Sequence, residues 1–158
     1  MSDAKETVRP QTVTHADPDA VADAGEDSRV YHESTVESLD SVHDGRARRV
    51  LVNEHLAGTE SLLVDTVTYG PGVSCPKHYH RNTEHFFYVL SGEGVVELAG
   101  EEHEITEGSV VWVGDGDEHR LYAREDQDGM RVFEYFSNAD YETVYTSGKA
   151  CTWTPERA

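Results

Sequence analysis

The sequence predicts an all-β fold, and three observations carry that prediction. From Ser61 onward the apolar residues fall in short runs rich in Val, Tyr and Phe, most of them too short for a helix. Glycine-containing turn signals separate these runs at the spacing of a sandwich or barrel. Proline stands at the ends of the runs, where a residue without an N–H leaves a ladder intact.

The elements follow in order. Residues 1–29 hold Pro10, Pro18 and an Asp- and Ala-rich stretch at Asp17 to Asp27 with almost no apolar periodicity. Such a segment cannot bury enough surface to offset its ordering entropy, so a disordered or loosely attached acidic tail is expected there. Residues 30–158 are expected to form one domain with a C-terminal extension, because 158 residues give too little chain for two cores. Val30 to His32 and Arg48 to Val52 read as short strands, with a turn at Asp44-Gly45 between them. The remaining expected strands are Ser61–Tyr69, Ser74–His80, Glu84–Ser91, Gly94–Ala99, Glu101–Thr106, Ser109–Val113, His119–Ala123, Arg131–Phe136 and Glu142–Thr146. Turns are expected at Gly70-Pro71-Gly72, Ser91 to Gly94, Ala99-Gly100, Glu107-Gly108, Gly114 to Gly116 and Asp128-Gly129.

Charge narrows the function. Thirty-one acidic against 13 basic residues give a net charge of −18, which excludes a nucleic-acid partner that needs a basic face. No apolar run approaches the roughly 18 residues that span a bilayer, and the N-terminus lacks a secretory pattern, so a cytoplasmic protein with no membrane partner is expected. Two cysteines, Cys75 and Cys151, are too few for a disulfide scaffold. Arg outnumbers Lys ten to three beside the heavy acidic content, a balance expected of a halophilic protein whose self-repulsion high salt would screen.

The chemistry lies in two stretches. In Gly72 to Gly92, His78 and His80 stand two apart, so on a strand both imidazoles project from one face and can hold one metal ion. His85 and Glu84 follow on the next strand, where parity alone does not decide which points inward. A second stretch, Gly108 to His119, ends in a histidine after a glycine turn. Together the two stretches resemble the paired motifs of the cupin superfamily, in its small single-domain type. Gly72, His78, His80 and Gly92 fall on the first motif, and Gly108, Gly116 and His119 on the second. Gly114 and Ala123 stand where the second motif has Pro and Asn, neither of them a ligand in the family.

The resemblance implies a jelly-roll β-barrel with a cavity and one divalent transition metal, Fe, Zn, Ni, Mn or Cu. Counting four residues after His80 puts His85 in the place of the family's ligand Glu and keeps the interval to Gly92, which implies a site of His78, His80, His85 and His119. Counting three makes Glu84 the ligand instead; in the four-histidine reading Glu84 is the candidate general base. The family contains oxygen-using enzymes as well as cyclases, so the resemblance implies a dioxygenase-like oxidoreductase acting on a small organic molecule. The alternatives are an isomerase, cyclase or lyase, and a non-catalytic binding module. Glu134, Arg131 and Tyr135 read equally as cavity or solvated face, and Cys75 as a small hydrophobe. The apolar residues Tyr141, Val144, Tyr145 and Trp153 of the C-terminal extension suggest a homodimer.

Overall fold

The computed structural model describes residues 6–8, 22–23 and 28–155. Its strands are β1 (Glu6–Val8), β2 (Ala22–Asp23), β3 (Arg29–Val30), β4 (Leu39–Ser41), β5 (Ala47–Val52), β6 (Leu63–Tyr69), β7 (His78–Arg81), β8 (His85–Leu98), β9 (Glu101–Thr106), β10 (Val110–Val113), β11 (His119–Tyr122), β12 (Met130–Phe136), β13 (Glu142–Tyr145) and β14 (Trp153–Pro155). A single α-helical turn, α1 (Glu54–Ala57), is capped by Asn53, whose side chain accepts from Leu56 N–H, and ends at Gly58 in the left-handed region. The expected all-β class is what the chain adopts.

Twelve strands form one curled antiparallel sheet in the order β1-β13-β7-β11-β8-β12-β6-β5-β4-β14, with β9 and β10 both pairing β8. The long strand β8 carries the curl. Its first half pairs with β10 and β12, its second half with β9 and β11, so one continuous strand passes from one wall of the half-barrel to the other. This corrects the turn expected at Ser91 to Gly94. Glycine there serves a bend within the strand: Gly92 has φ +79°, and a Cβ on it would lie 2.1 Å from the Gly129 carbonyl oxygen. The adjoining register shift between Arg131 and Val132 marks the same corner on β12.

Alternation along the strands builds the interior. Arg48 and Val50 on β5, Phe87 and Val89 on β8, Leu121 on β11, and Val132 and Phe136 on β12 are all buried. Most pack in one cluster with Val67, Tyr69, Cys75 and Met130, while Leu39, Val50, Leu63, Phe136 and Tyr141 form a second. Trp153 packs against both clusters. Tyr141 and Val144 are therefore covered by the chain itself, which corrects the reasoning that this extension needs a second copy to bury it. The loose tail expected over residues 1–29 lies outside the described residues, apart from β1, which pairs with β13, β2, which pairs with β3, and Ser28–Arg29. No helix among the described residues is long and apolar enough to cross a membrane.

Candidate metal centre

Strand parity gathers the histidines. On β7, His78 and His80 point in while Tyr79 and Arg81 point out, and β11 pairs with β7 so that His119 stands opposite His78. Among the described residues, ligand atoms of His78, His80 and His119 lie within 4.8 Å of one another. Their ring centroids are 4.4 Å apart for His78 and His119 and 4.9 Å for His78 and His80.

The hydrogen bonds behind these rings decide which nitrogen is offered. His78 Nδ1 donates to the Pro76 carbonyl at 2.6 Å, and His119 Nδ1 to the Asp117 carbonyl at 3.0 Å. A carbonyl only accepts, so each proton sits on Nδ1 and each Nε2 keeps its lone pair. His80 Nδ1 lies 2.9 Å from Thr143 Oγ1, a contact fixed by the register that sets Thr143 opposite His80. His80 Nε2 and His119 Nε2 are buried with no hydrogen-bond partner. Burial, reinforced by the neighbouring rings, lowers the proton affinity of all three, taking His119 to about 3. Neutral imidazoles with inward-facing lone pairs, held from behind, are the donor set a divalent transition metal needs. Replacing Thr143 with Val, which keeps shape and removes the oxygen, is expected to weaken metal binding roughly 10- to 100-fold. Competition with a chromophoric chelator measures it.

Of the two residues open for the fourth position, His85 is buried and Glu84 is exposed. His85 sits beside the three-histidine cluster, its ring centroid 4.9 Å from that of His80 and 5.4 Å from that of His119. It stacks on Phe136 at 4.0 Å, neither ring nitrogen has a hydrogen-bond partner, and burial holds it neutral down to a pH of about 3. Glu84 does not line the cavity; its backbone pairs with Ser137 and its side chain faces out, one residue out of phase with His85. The expectation of Glu84 as a cavity base is corrected accordingly.

The cavity carboxylate is Glu134. It alternates inward on β12 with Val132 and Phe136, and its Oε2 lies 3.9 Å from His85 Nε2. The sheet register sets it directly opposite Asp65. Asp65 is fully buried and accepts from Arg48 Nε at 2.6 Å. Burial raises the pKa of both acids, and for Asp65 the neighbouring Glu134 adds to the rise. Arg46, Arg48, Tyr69, Tyr141 and Trp153 complete a cavity of about 80 Å³. Sequence reading left Glu134 undecided and missed Arg46, Arg48, Asp65 and Thr143. Arg48 and Asp65 carried a signal, charged residues in phase with buried Val50 and with buried Leu63 and Val67. His32, His43, His55 and His103, which lie outside both motifs, are exposed.

The sequence profile of the cupin domain matches residues 65–136, from β6 through β12, the strands that carry all four histidines and Glu134. Residues 65–136 are a cupin domain. Two curated relatives are similar to part of the chain. The tetracenomycin polyketide synthase protein TcmJ of Streptomyces glaucescens is 28% identical over 60% of this chain and 63% of its own length. The dimethylsulfoniopropionate lyase DddW of Ruegeria pomeroyi is 29% identical over 61% of each. The chain thus spans less than two thirds of either relative. Among solved structures, the polyketide cyclase RemF of Streptomyces resistomycificus superposes with a TM-score of 0.66 over 77% of this chain and 87% of its own, at 18% identity. A salicylate 1,2-dioxygenase of Pseudoaminobacter salicylatoxidans, an adduct with gentisate, gives 0.54 over 62% and 26%, at 22% identity. At these identities the structural matches speak for the cupin fold. The expected recognition is thereby met, while the chemistries of the neighbours diverge.

Proposed function

We propose that this cupin is a metal-dependent enzyme performing acid–base chemistry of the lyase or cyclase type on a small organic molecule in its cavity. The observation that carries this reading is Glu134, a buried carboxylate on the cavity wall beside the histidines, backed by Asp65 and Arg48. His78, His80 and His119 hold the metal, with His85 as the fourth ligand. Bound there, a divalent metal supplies Lewis-acid polarisation of a substrate oxygen. Glu134 is the base placed to take a proton from a substrate carbon. Burial raises its pKa above the ordinary carboxylate value, which makes it the stronger base. Asp65, held by Arg48 Nε, fixes the carboxyl that faces it and keeps it directed into the cavity. The lyase among the matched relatives supports the class of reaction.

Screening small carbonyl compounds by proton NMR in D2O tests this directly. Metal-loaded protein is expected to exchange a hydrogen α to the carbonyl or to eliminate across that bond. Glu134→Gln is expected to slow that step by about 10²- to 10⁴-fold with metal content unchanged.

An oxygen-using oxidoreductase is the second reading, favoured by the all-histidine donor set, which suits Fe. Oxygen consumption by the iron form without α-hydrogen exchange would select it. Turnover of neither kind, beside tight ligand binding, would leave a binding cupin.

A homodimer belongs to the same reading, seated on the outer face of β8 and β10. There Tyr88, Leu90, Val110 and Trp112 are exposed side by side, Trp112 at 56% and Val110 at 62%, on a chain whose charge otherwise keeps copies apart. Light scattering is expected to report a dimer that Trp112→Glu converts to monomer; a wild-type monomer would refute it.

A further inference from the structure

The cavity meets solvent past one segment of the chain. Of the seventeen residues that line it, fourteen are buried, and the three that are partly exposed, Tyr145, Cys151 and Trp153, all belong to the C-terminal extension. The histidines and Glu134 therefore lie behind these three side chains. Local sequence divides the segment into a hinge and a plug. Ser147-Gly148-Lys149 is exposed, and Gly148 turns there in the left-handed region at φ +67°, where a Cβ would also come 3.2 Å from that of Pro76. On the near side of this turn, Thr146 N–H donates to the Lys77 carbonyl at 2.9 Å and Ser147 Oγ accepts from Lys77 N–H at 3.0 Å, which ties the chain to the start of β7. On the far side, Val42 N–H donates to the Thr152 carbonyl at 2.9 Å, and β14 pairs with β4. A three-residue strand at the end of the sheet order can leave without disturbing the pairing of any other strand.

Trp153 is held by the groups it covers. The guanidinium of Arg46 lies 4.9 Å from the centroid of its ring and that of Arg48 5.6 Å. Both arginines are fixed independently of this segment. Asp44 engages Arg46 as a fork, accepting from Nε at 2.8 Å and from Nη2 at 2.9 Å, and Asp65 accepts from Arg48 Nε at 2.6 Å. Contacts between a cation and a ring are weak beside such charge-assisted pairs, so the indole can depart and leave the cavity wall standing.

We propose that residues 148–155 are the gate of the cavity, hinged at Gly148 and closed by Trp153. Substrate enters when β14 leaves β4, and the returning indole shuts water out of the pocket in which Glu134 works. The gate takes its purpose from the enzymatic reading above and rests on it, but opening is measured with no turnover, so the two fail separately.

Cys75 is the internal reporter. It lines the cavity with 2% of its surface exposed, and Ser147, Gly148 and Lys149 line the outer groove that reaches its other side. The wild-type full chain, as purified, is treated with N-ethylmaleimide in low urea, and peptide mass spectrometry follows Cys75 and half-exposed Cys151 separately. Cys75 is expected to react at least tenfold more slowly than Cys151, at a rate that changes less than about threefold per molar urea, because opening the gate exposes little surface. Trp153→Ala is expected to speed Cys75 at least tenfold with the same shallow urea dependence, and Trp153→Phe, which keeps a ring over the arginines, to stay near the wild type. A wild-type rate that climbs about tenfold or more per molar urea would mean that Cys75 is reached only through global unfolding. That result would overturn the proposal, and it needs no variant to fold. A Cys75 that never reacts, that reacts as fast as Cys151, or that is indifferent to Trp153→Ala would overturn it as well.

Discussion

Replacing His80 or His119 with alanine is expected to weaken divalent-metal binding by about 100-fold or more, since loss of a partner behind a ligand alone costs roughly 10- to 100-fold. The expectation follows from geometry. Both residues belong to the histidine cluster with a buried Nε2 that has no partner, and both rings are held from behind, His80 by the Thr143 hydroxyl and His119 by the Asp117 carbonyl, which sets its tautomer. His103→Ala on exposed β9 and Glu84→Ala are the controls and should bind as the wild type does. His85→Ala is the informative variant. A loss equal to that of His80→Ala makes His85 the fourth ligand, whereas metal retained with altered exchange kinetics makes it a partner of Glu134. Chelator competition on each purified variant provides the measurement.

Acid lability of the metal-free protein is the second large effect. His78, His80, His85 and His119 all have folded-state pKa values below the ordinary histidine value, His85 and His119 at about 3. Between pH 6.5 and about 3 the unfolded chain therefore binds histidine protons that the folded chain refuses, so stability falls as pH falls. Asp65 and Glu134 act in the opposite sense, because their raised values let the folded state bind protons that the unfolded state releases above pH ~4. The four histidines outnumber the two acids, so unfolding takes up protons and stability falls as the pH drops below about 6.5. Each proton of difference is worth about 1.4 kcal/mol per pH unit, a large share of a total stability of roughly 5 to 15 kcal/mol. Urea denaturation of chelator-treated protein at pH 7, 6 and 5 should show the midpoint falling at each step. A flat midpoint would mean that the histidines are not neutral and buried together. Metal should steepen the dependence, because protons then also displace the ion.

The sequence announced the histidines more clearly than it announced the surroundings that give them a function. His78 and His80 share a face because strand side chains alternate with period two, and glycine spacing carried His119 to the same end of the fold. Glu84 and His85 could not be separated that way, since each alternates with apolar residues in the sequence; in the structure His85 is the one that is buried, against Phe136. Asp65, Arg48 and Glu134 meet only through the registers of β5 with β6 and β6 with β12, and nothing local in any of the three strands encodes the meeting. The turn assigned at Gly92 failed for a related reason. Two glycines flanking Glu93 look like a hairpin loop, but their use is to let β8 pass close under Gly129 and Met130.

Elemental mass spectrometry of protein purified without a nickel column or chelator tests the central claim most directly. A three-histidine centre predicts close to one divalent transition-metal ion per chain, and none in the His80→Ala, His119→Ala double variant. Sub-stoichiometric metal in folded wild-type protein that cannot be reloaded, or full occupancy in the double variant, would contradict it.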